Sequence, residues 1–435
     1  MGCIACFISD EHQSALKNEC FNLDRFEDKL SKYKRLYIDE VDNLKSISKC
    51  DCKYKNTNHD YVKWTDDFFG ELLNNKKIIE NTFDELIEIY IDYISKSSKV
   101  AIYRLWKFLE EEGLLKDTED GFSYSTLFYR ARKRGKFDEN DIKELFHISF
   151  ADREKVGSQR FSISGQPMLY LAKSTIGLEK ELSMPLKDLS IAAFLPFYKD
   201  FYERKYYTIK NSLFNNIVIA LPKFQEDENP FDYYNCVLEP NCNSIKIDLK
   251  KSILSQILTF PIKDGVKNSF VPEYVLPQML TTALLEHNYS GVAFPSTKDF
   301  SETNHYDISS DYNSNFAIFV DYSRKSLYDY KLLTYFLYFT FDGNEKMNYS
   351  VKDILDKIEL ISILHKESKI DMDFFIPLGN LNFHIEQMKS SKINNVNYFD
   401  TIYGKVELEF ISKVADFYLS KRTDTNLLKY AGEKK

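Results

Sequence analysis

The sequence lacks the features of membrane-spanning, exported and nucleic-acid-coating proteins. It contains no apolar run of about 18 residues, the length that a membrane-spanning helix requires. Acidic residues at Asp10 and Glu11 interrupt the N-terminus before the apolar stretch of a secretory signal can form. The net charge of -8 leaves no excess of Lys and Arg to neutralise a nucleic-acid backbone. We therefore expect a cytoplasmic protein with no membrane contact and no broad nucleic-acid-binding surface.

Length and composition indicate a folded protein of several domains. The chain has 435 residues, of which 43% are hydrophobic and 29% are charged, and these values fit a globular protein. Internal repeats and low-complexity segments are absent from the sequence. The patterns predict a helical N-terminal domain at 1–120, a mixed α/β domain at 121–345 and a helical C-terminal extension at 346–435.

Hydrophobic spacing supports this division. Apolar residues recur at intervals of three and four, as one helix face requires, in two N-terminal segments. They are Leu30, Tyr33, Leu36, Tyr37, Val41 and Leu44, and then Ile78, Phe83, Leu86, Ile87, Tyr90 and Ile94. Further helices are predicted at 101–115, 351–365 and 405–420, and short apolar runs predict strands at 168–172, 216–220, 291–294 and 315–320. The fold class is therefore α+β.

Residues 127–181 are dense in Arg, His and Tyr around small residues. A site that cleaves a nucleotide needs arginines for a pyrophosphate, because the guanidinium fork matches phosphate oxygens and keeps its charge. It also needs an aromatic ring against a flat base and a carboxylate near the sugar, where positive charge develops. Arg130, Arg132 and Arg160 are candidates for the clamp, Tyr170 for the ring and Glu181 for the carboxylate.

The local pattern could bring this ring and this carboxylate together. Gly165-Gln166-Pro167 predicts a turn, and the strand 168–172 that follows carries Tyr170. Ser174 fits the N-cap of a helix at 175–183, which carries Glu181. Glu179 lies on a neighbouring face of that helix and remains a rival, as Arg132 does for Arg130. His147 is interpreted as a support for the turn before Arg160.

Ordered motifs in this region resemble the RES domain, a family named for its Arg, Glu and Ser. The matching elements are 128–132 (FYRAR), 146–148 (FHI), 159–172 (QRFSISGQPMLYLA), Glu181, 273–278 (EYVLPQ), 289–297 (YSGVAFPST) and Asn315. The resemblance covers about half of the chain, roughly residues 122–325. Relative to compact members of the family, residues 185–270 form a long insertion.

The resemblance implies an ADP-ribosyltransferase-like mixed sheet that binds and cleaves NAD. It implies catalytic roles for Glu181, which would orient the ribose and stabilise an oxocarbenium-like transition state, and for Arg160, Tyr170 and Ser296. The residues implied in NAD binding are Arg130, Arg132, Arg160, Tyr170, Ser296 and Asn315.

Members of this family include bacterial toxins that degrade NAD, so the resemblance implies a toxin or an anti-phage immune effector. Phosphate is the expected acceptor, which makes nicotinamide and ADP-ribose-1″-phosphate the products. Two alternatives stay open: an ADP-ribosyltransferase that modifies a macromolecule, and a non-catalytic nucleotide-sensing module. A regulatory or antitoxin protein and a homodimer are the partners that the interpretation leaves open.

The N-terminal region contains two pairs of closely spaced cysteines. Cys3 and Cys6 have the CxxC spacing that lets two thiolates bind one metal ion, and Cys50 and Cys52 form a second pair. Without an export signal these thiols should be reduced, so a structural zinc site is a better interpretation than disulfides. Metal-free thiols are the alternative. Cys20 is a spare, and Cys236 and Cys242 are interpreted as unrelated.

Overall fold

The computed structural model divides the chain into two compact units. The helical unit comprises Met1–Thr118, Gly157–Ser164 and Tyr207–Thr297, and the sheet unit comprises Glu119–Val156, Gly165–Tyr206 and Lys298–Lys435. The structure describes residues 2–52, 54–55, 59–115, 127–135, 141–196, 199–214, 242–262, 270–298, 313–341, 352–357, 381, 384–385, 388–389, 391–394 and 396–422.

The helical unit is built from amphipathic helices and two short neighbouring strands. The helices are α1 (Ile4–Phe7), α2 (Asp10–Asn18), α3 (Phe26–Asp42), α4 (His59–Asn74), α5 (Lys76–Ser95) and α6 (Ser98–Glu111), with α10 (Ser212–Phe214), α11 (Cys242–Leu258) and α12 (Val275–Glu286) later in the chain. The strands are β4 (Tyr206–Thr208, in this unit from Tyr207) and β5 (Gly291–Pro295). Short 3-10 turns occupy Ile47–Lys49 and Pro272–Tyr274.

The two N-terminal helices predicted from spacing are confirmed as α3 and α5, with a small shift of the buried face in α5. Ile79, Phe83 and Tyr90 are buried there, whereas Ile94 is 47% exposed. Ile79 lies four residues before Phe83 and therefore shares its face, while Ile78 lies five residues before Phe83 and turns away.

The helix predicted at 101–115 starts and ends earlier, because α6 spans Ser98–Glu111. Gly113 adopts a φ of 69°, in the left-handed region that ends a helix at low steric cost when the residue is glycine. The two leucines that follow this glycine therefore lie outside the helix.

The sheet unit is organised around five antiparallel strands. They are β1 (Phe128–Lys133), β2 (Met168–Ala172), β3 (Leu189–Pro196), β6 (Ser314–Phe319) and β7 (Phe336–Phe341), in the spatial order β6-β2-β1-β3-β7. The helices of this unit are α7 (Ile142–Leu145), α8 (Thr175–Leu182), α9 (Lys199–Tyr202), α13 (Tyr330–Thr334) and α14 (Ile402–Arg422), with 3-10 turns at Phe150–Lys155, Leu186–Asp188 and Tyr398–Asp400. A short hairpin pairs β8 (Lys392–Ile393) with β9 (Val396–Asn397). The fold is thus mixed α and β.

The pairing of β1 with β2 is much shorter than the other pairings in this sheet. Strand β1 pairs with β3 from Phe128 to Lys133, and β2 pairs with β6 from Met168 to Ala172. The register between β1 and β2 consists of Tyr129 opposite Ala172 alone. The two ladders therefore meet at one row of residues and separate beyond it.

Helices α8 and α14 cover one face of this sheet. Tyr129, Ala172 and Ala193 lie in one register row, so their side chains point to the same face. They form a buried core with residues of both helices, namely Ile176, Leu178, Val406, Phe410, Ile411 and Val414. The C-terminal helix is therefore an integral layer of the sheet unit.

Most predicted strands and helices in the described residues are present. The runs 168–172, 291–294 and 315–320 correspond to β2, β5 and β6, and the helix predicted at 405–420 lies within α14. Residues 352–357 are helical, whereas the remainder of 351–365 and the run 216–220 lie outside the described residues. Within the part of the chain that the structure describes, no helix has the length and apolarity to cross a membrane.

Candidate functional site

Glu181 and Asn315 form a direct contact at one end of the sheet. Ala172, the last residue of β2, pairs with Asn315 of β6. The chain then passes through Ser174, whose hydroxyl accepts a 3.1 Å hydrogen bond from the Gly177 amide and caps α8. In the last turn of α8, the Glu181 carboxylate accepts a 2.7 Å hydrogen bond from Asn315 Nδ2. Asn315 is buried and Glu181 is exposed. The buried amide therefore holds the Glu181 carboxylate on its protein side, while the residue remains accessible to solvent.

Glu179, the alternative carboxylate on the same helix, has a different environment. Its two oxygens accept hydrogen bonds from the Tyr403 hydroxyl at 2.8 Å and from the Leu186 amide at 2.7 Å. Both contacts tie α8 to neighbouring segments of the sheet unit. The geometry therefore favours Glu181 over Glu179 as the carboxylate that could meet a ligand.

Arg130 and Tyr170 lie where β1 and β2 separate. Arg130 Nη1 donates a 2.8 Å hydrogen bond to the Tyr170 carbonyl. In a continued antiparallel ladder this carbonyl would accept from the backbone amide of Ala131, so the guanidinium takes the place of a backbone donor. Burial, together with the nearby charge of Arg132, lowers the pKa of Arg130 to about 9. Among the described residues no carboxylate forms an ion pair with Arg130, so its positive charge has no anionic partner there.

Arg132 and His147 have structural contacts. Arg132 Nη1 lies 3.8 Å from a Glu144 carboxylate oxygen, and both side chains are partly exposed, as in an ordinary surface ion pair. The imidazole of His147 is buried, and its Nε2 accepts a 2.9 Å hydrogen bond from the Asp329 amide. Burial lowers the pKa of His147, which favours the neutral ring that this bond requires. Of the two arginines, Arg130 is thus the better candidate for an anion.

Arg160 belongs to the helical unit and starts a tight two-residue turn. Gln159 and Ser162 exchange backbone hydrogen bonds of 3.2 Å in both directions across this turn. The amide group of Gln278, on α12, donates to both carbonyls, at 2.9 Å to Gln159 and 3.1 Å to Ser162. The hydroxyl of Thr281, one turn later, lies 3.2 Å from the Phe161 carbonyl. The turn is therefore fixed by one helix.

The Arg160 side chain is itself buried and oriented. Its guanidinium carbon lies 5.2 Å from the centre of the Tyr274 ring, and Nη1 donates a 3.1 Å hydrogen bond to the Leu258 carbonyl. The side chain is only 8% exposed. Ser296 belongs to the same unit and directly follows the last residue of β5, where it is partly exposed. The seven predicted NAD-site residues thus fall into two groups: Arg130, Arg132, Tyr170, Glu181 and Asn315 in the sheet unit, and Arg160 and Ser296 in the helical unit.

The four N-terminal cysteines predicted as a metal site form one cluster in the helical unit. The sulfurs of Cys3, Cys6, Cys50 and Cys52 all lie within 4.8 Å of one another. Individual Sγ–Sγ distances are 3.6 Å for Cys3–Cys52, 3.9 Å for Cys3–Cys6 and 3.9 Å for Cys6–Cys50. A tetrahedral zinc ion with Zn–S bonds of about 2.3 Å requires separations of about 3.8 Å. The cluster can therefore hold a metal ion.

Backbone contacts bring the two cysteine pairs together. The Lys45 amide donates a 3.1 Å hydrogen bond to the Gly2 carbonyl, and Cys3 and Lys45 form a parallel bridge. A side chain at Gly2 would come within 2.6 Å of Cys6 Cβ, so the glycine makes room for the thiol. The side-chain contact with Cys6 lowers the pKa of the Cys3 thiol to about 5, against the opposing effect of burial. The fifth cysteine of this region, Cys20, instead donates to the Leu16 carbonyl and lies outside the cluster.

Two residues that contact Arg160 or the turn it starts had no role assigned from the sequence. Tyr274 and Gln278 both lie in the segment 273–278, which the motif comparison had singled out, so a signal for them existed. Glu407 is a further buried carboxylate in contact with α8, and no motif marked it.

The resemblance to the RES family rests on the ordered motif elements of this chain and on no wider similarity. A scan against protein-family models, a search of curated proteins and a search of solved structures each find no match.

Proposed function

We propose that this protein cleaves the bond between nicotinamide and ribose in NAD, with inorganic phosphate as the acceptor. The observation that carries the proposal is the hydrogen bond of Asn315 to Glu181. The motif resemblance had selected both residues from the sequence, where they are 134 positions apart. The proposal includes an ADP-ribosyltransferase-like fold for the sheet that carries them.

In this proposal Glu181 acts on the ribose. As the C1″–N bond breaks, its electron pair passes to the pyridinium ring and nicotinamide leaves as a neutral molecule. Positive charge then develops on the sugar, where a fixed carboxylate stabilises it. An oxygen of phosphate forms the new bond to C1″, which yields ADP-ribose-1″-phosphate, and the phosphate proton is released to solvent. Asn315 keeps the carboxylate in place through the reaction.

Arg130 supplies the positive charge that a pyrophosphate needs. Arg130 is half-buried and pairs with no carboxylate among the described residues, so an anionic ligand would compensate a charge that burial destabilises. Tyr170, on whose carbonyl Arg130 is anchored, contributes its ring to the nicotinamide riboside part. The motif resemblance adds Arg160 for the pyrophosphate, Ser296 for the nicotinamide side, and Arg132 as a peripheral cation.

Such an activity fits a toxin or an anti-phage effector that acts in the cytoplasm. Loss of NAD stops growth, so the activity would need restraint by a regulatory protein or an antitoxin, or through a homodimer. The test is purified protein incubated with NAD and phosphate, with the small-molecule products identified by mass spectrometry. We expect nicotinamide and ADP-ribose-1″-phosphate from the wild type, and a loss of about 100-fold or more in Glu181→Gln.

A matched control lies two residues away on the same helix. Glu179→Gln keeps one oxygen, which can accept from the Leu186 amide, and its NH2 group can donate to the Tyr403 hydroxyl, so NAD turnover should remain close to that of the wild type. ADP-ribose as the product would move the acceptor to water, and label transferred to a macromolecule would indicate an ADP-ribosyltransferase. Binding of NAD without any turnover would indicate that the protein is a non-catalytic nucleotide sensor and not an enzyme.

We further propose that the cluster of Cys3, Cys6, Cys50 and Cys52 binds a structural zinc ion. The thiol separations and the mixture of one CxxC pair and one CxC pair support a four-thiolate tetrahedral site. Such an ion would link the N-terminal pair, Cys3 and Cys6, to Cys50 and Cys52 in the segment that follows α3. Metal analysis of the purified protein should find about one zinc per chain, with no loss in Cys20→Ser.

A further inference from the structure

Glu407 of the C-terminal helix is a fully buried carboxylate with an unusual set of partners. Its Oε1 accepts three hydrogen bonds, from the Thr175 amide at 2.8 Å, the Thr175 hydroxyl at 3.0 Å and the Tyr398 hydroxyl at 2.7 Å. Its Oε2 lies 3.5 Å from Nε2 of His384. A buried carboxylate is costly unless it is satisfied, so these contacts define a specific position for it.

The contact with Thr175 holds the start of α8. The first amides of a helix have no partner within the helix, and a negative side chain there is favourable both as an acceptor and toward the helix dipole. Ser174 accepts from Gly177 in this first turn, and Glu407 accepts from Thr175, the first helical residue. Two side chains thus fix one helix end, and one of them comes from 232 residues further along the chain.

The opposite end of this same helix carries Glu181. Helix α8 has eight residues and is therefore about 12 Å long, which is short enough to move as a rigid rod. Any rotation of its start displaces the last turn, where the Glu181 carboxylate meets Asn315. Glu407 does not touch this carboxylate and can affect it only through the orientation of the helix.

Packing alone would keep α14 on the sheet. The neighbours of Glu407 in sequence, Val406 and Leu408, are buried in the core of the sheet unit, together with Phe410 and Ile411. An apolar residue at 407 would avoid the desolvation of a carboxylate, which makes a buried ionisable group a poor choice for stability alone. The contacts of Glu407 therefore serve to orient α8, whereas apolar packing is sufficient to hold α14 on the sheet.

We propose that Glu407 is a positioning residue for Glu181, so that the C-terminal helix is part of the NAD-cleaving unit. This inference rests on the proposed function of Glu181. Glu407 variants should lose activity because α8 is misplaced, and not because a group that binds the ligand is lost. Displacements of about 1 Å can reduce the rate by about 100-fold, so kcat should fall while KM for NAD stays within about threefold.

The experiment compares Glu407→Ala and Glu407→Gln with the wild type. We expect kcat to fall by about 100-fold in Glu407→Ala and by about 10-fold in Glu407→Gln, which keeps one acceptor oxygen for Thr175. Asp416→Asn is the matched control, because Asp416 lies on the same helix and pairs with Lys357 at 2.7 Å. It should leave kcat unchanged. If Glu407→Ala fails to fold, Thr175→Val removes the 3.0 Å bond and should lower kcat by about threefold to tenfold.

A double variant identifies the route of the effect. If Glu407 acts through Glu181, Glu181→Gln combined with Glu407→Ala should be no slower than Glu181→Gln alone. Multiplicative losses in the double variant would overturn the proposal. So would a folded Glu407→Ala protein with wild-type kcat.

A readout without NAD separates this proposal from the proposed function. Hydrogen exchange of the amides at 175–182 should become faster in Glu407→Ala, while exchange in β3 stays unchanged. If the wild type does not turn over NAD, the proposed function fails and the exchange measurement alone decides whether Glu407 holds α8. Unchanged exchange at 175–182 would show that it does not.

Discussion

Asn315 donates a 2.7 Å hydrogen bond to Glu181 across the end of a sheet, although 134 positions separate the two residues. The contact exists because Ala172 pairs with Asn315 in the sheet and the N-cap of a helix, Ser174, lies two residues after Ala172. The register between β2 and β6 therefore determines the position of the exposed Glu181 carboxylate.

Replacing Asn315 should weaken NAD cleavage, with a charge effect that distinguishes two variants. Asn315→Ala removes the donor, and we expect kcat to fall by about 10-fold. Asn315→Asp places a second carboxyl beside Glu181, so that the pair retains a proton to higher pH and kcat falls further at pH 7. The rising limb of the pH–rate profile should move to higher pH in Asn315→Asp alone. Asn394→Asp, at an exposed turn, should leave the profile where it is.

Arg160→Lys tests whether Arg160 does more than anchor a turn. Lysine cannot reproduce a planar group that both stacks on Tyr274 and donates to the Leu258 carbonyl. We expect kcat/KM for NAD to fall by about 10-fold or more, and the free energy of unfolding by about 1–2 kcal/mol. Arg153→Lys is a matched control, because Arg153 also contacts a tyrosine ring, that of Tyr322, and donates to the Gly165 carbonyl. A fall in stability with unchanged kcat/KM in Arg160→Lys would make Arg160 purely structural.

If the four-cysteine cluster binds zinc as proposed, removal of the ion should destabilise the N-terminal part of the helical unit. Incubation with a strong chelator, and separately Cys3→Ser or Cys52→Ser, should lower the midpoint of thermal unfolding by roughly 5–10 °C. Cys20→Ser should keep the chelator sensitivity of the wild type, because its thiol bonds the Leu16 carbonyl instead. A melting temperature that does not respond to the chelator would indicate that the four cysteines are metal-free, reduced thiols.

Lys17 should make stability depend on pH. Its ammonium group is almost completely buried and donates a 2.6 Å hydrogen bond to Gln256. Burial lowers the pKa of Lys17 from 10.5 to about 7, while Asp10 raises it and Arg160 lowers it further. Between these two pKa values the unfolded chain binds more protons than the folded one, so this group makes the folded state more stable as pH rises from 7 to 10.5.

Lys17→Met isolates this contribution. The methionine variant lacks the buried charge and should be more stable than the wild type at pH 6–7, with an advantage that shrinks by up to about 1.4 kcal/mol per pH unit above pH 7. Chemical denaturation of both proteins from pH 6 to 10 measures the difference. A difference that stays constant over this range would mean that Lys17 keeps an ordinary pKa in the folded protein.

Local signals explain which elements could be predicted. The strand Met168–Ala172 and the helix start at Ser174 were predicted because a glycine–proline turn and a capping serine mark them in the sequence. Strand β3 was not predicted, and it lies inside the segment interpreted as an insertion, 185–270. All eight of its residues are buried, and residues 191–196 (IAAFLP) form a short apolar run like those that predicted the other strands, so a signal for β3 was present in the sequence.

Long-range contacts explain what sequence patterns missed at the site. Motif order selected Glu181 and Asn315, but a sequence carries no sign that the Glu407 carboxylate reaches Thr175. Glu407 lies in a helix whose spacing merely predicts burial on one side. Its partner is 232 residues away, and only the packing of α14 on the sheet brings the two together.

The boundary between β1 and β2, which forms a seam in the sheet unit, has the least backbone pairing of the five-stranded sheet, because a single residue pair joins the two strands. Across this seam Tyr129 lies opposite Ala172 and Arg130 donates to the Tyr170 carbonyl, whereas the ladders on either side continue over five or six pairs. Backbone pairing therefore contributes less to holding β2 and β6 against β1 and β3 than to holding each pair of strands together. The core that Tyr129 and Ala172 share with α8 and α14 joins the two pairs instead, so the C-terminal helix helps to keep the sheet in one piece.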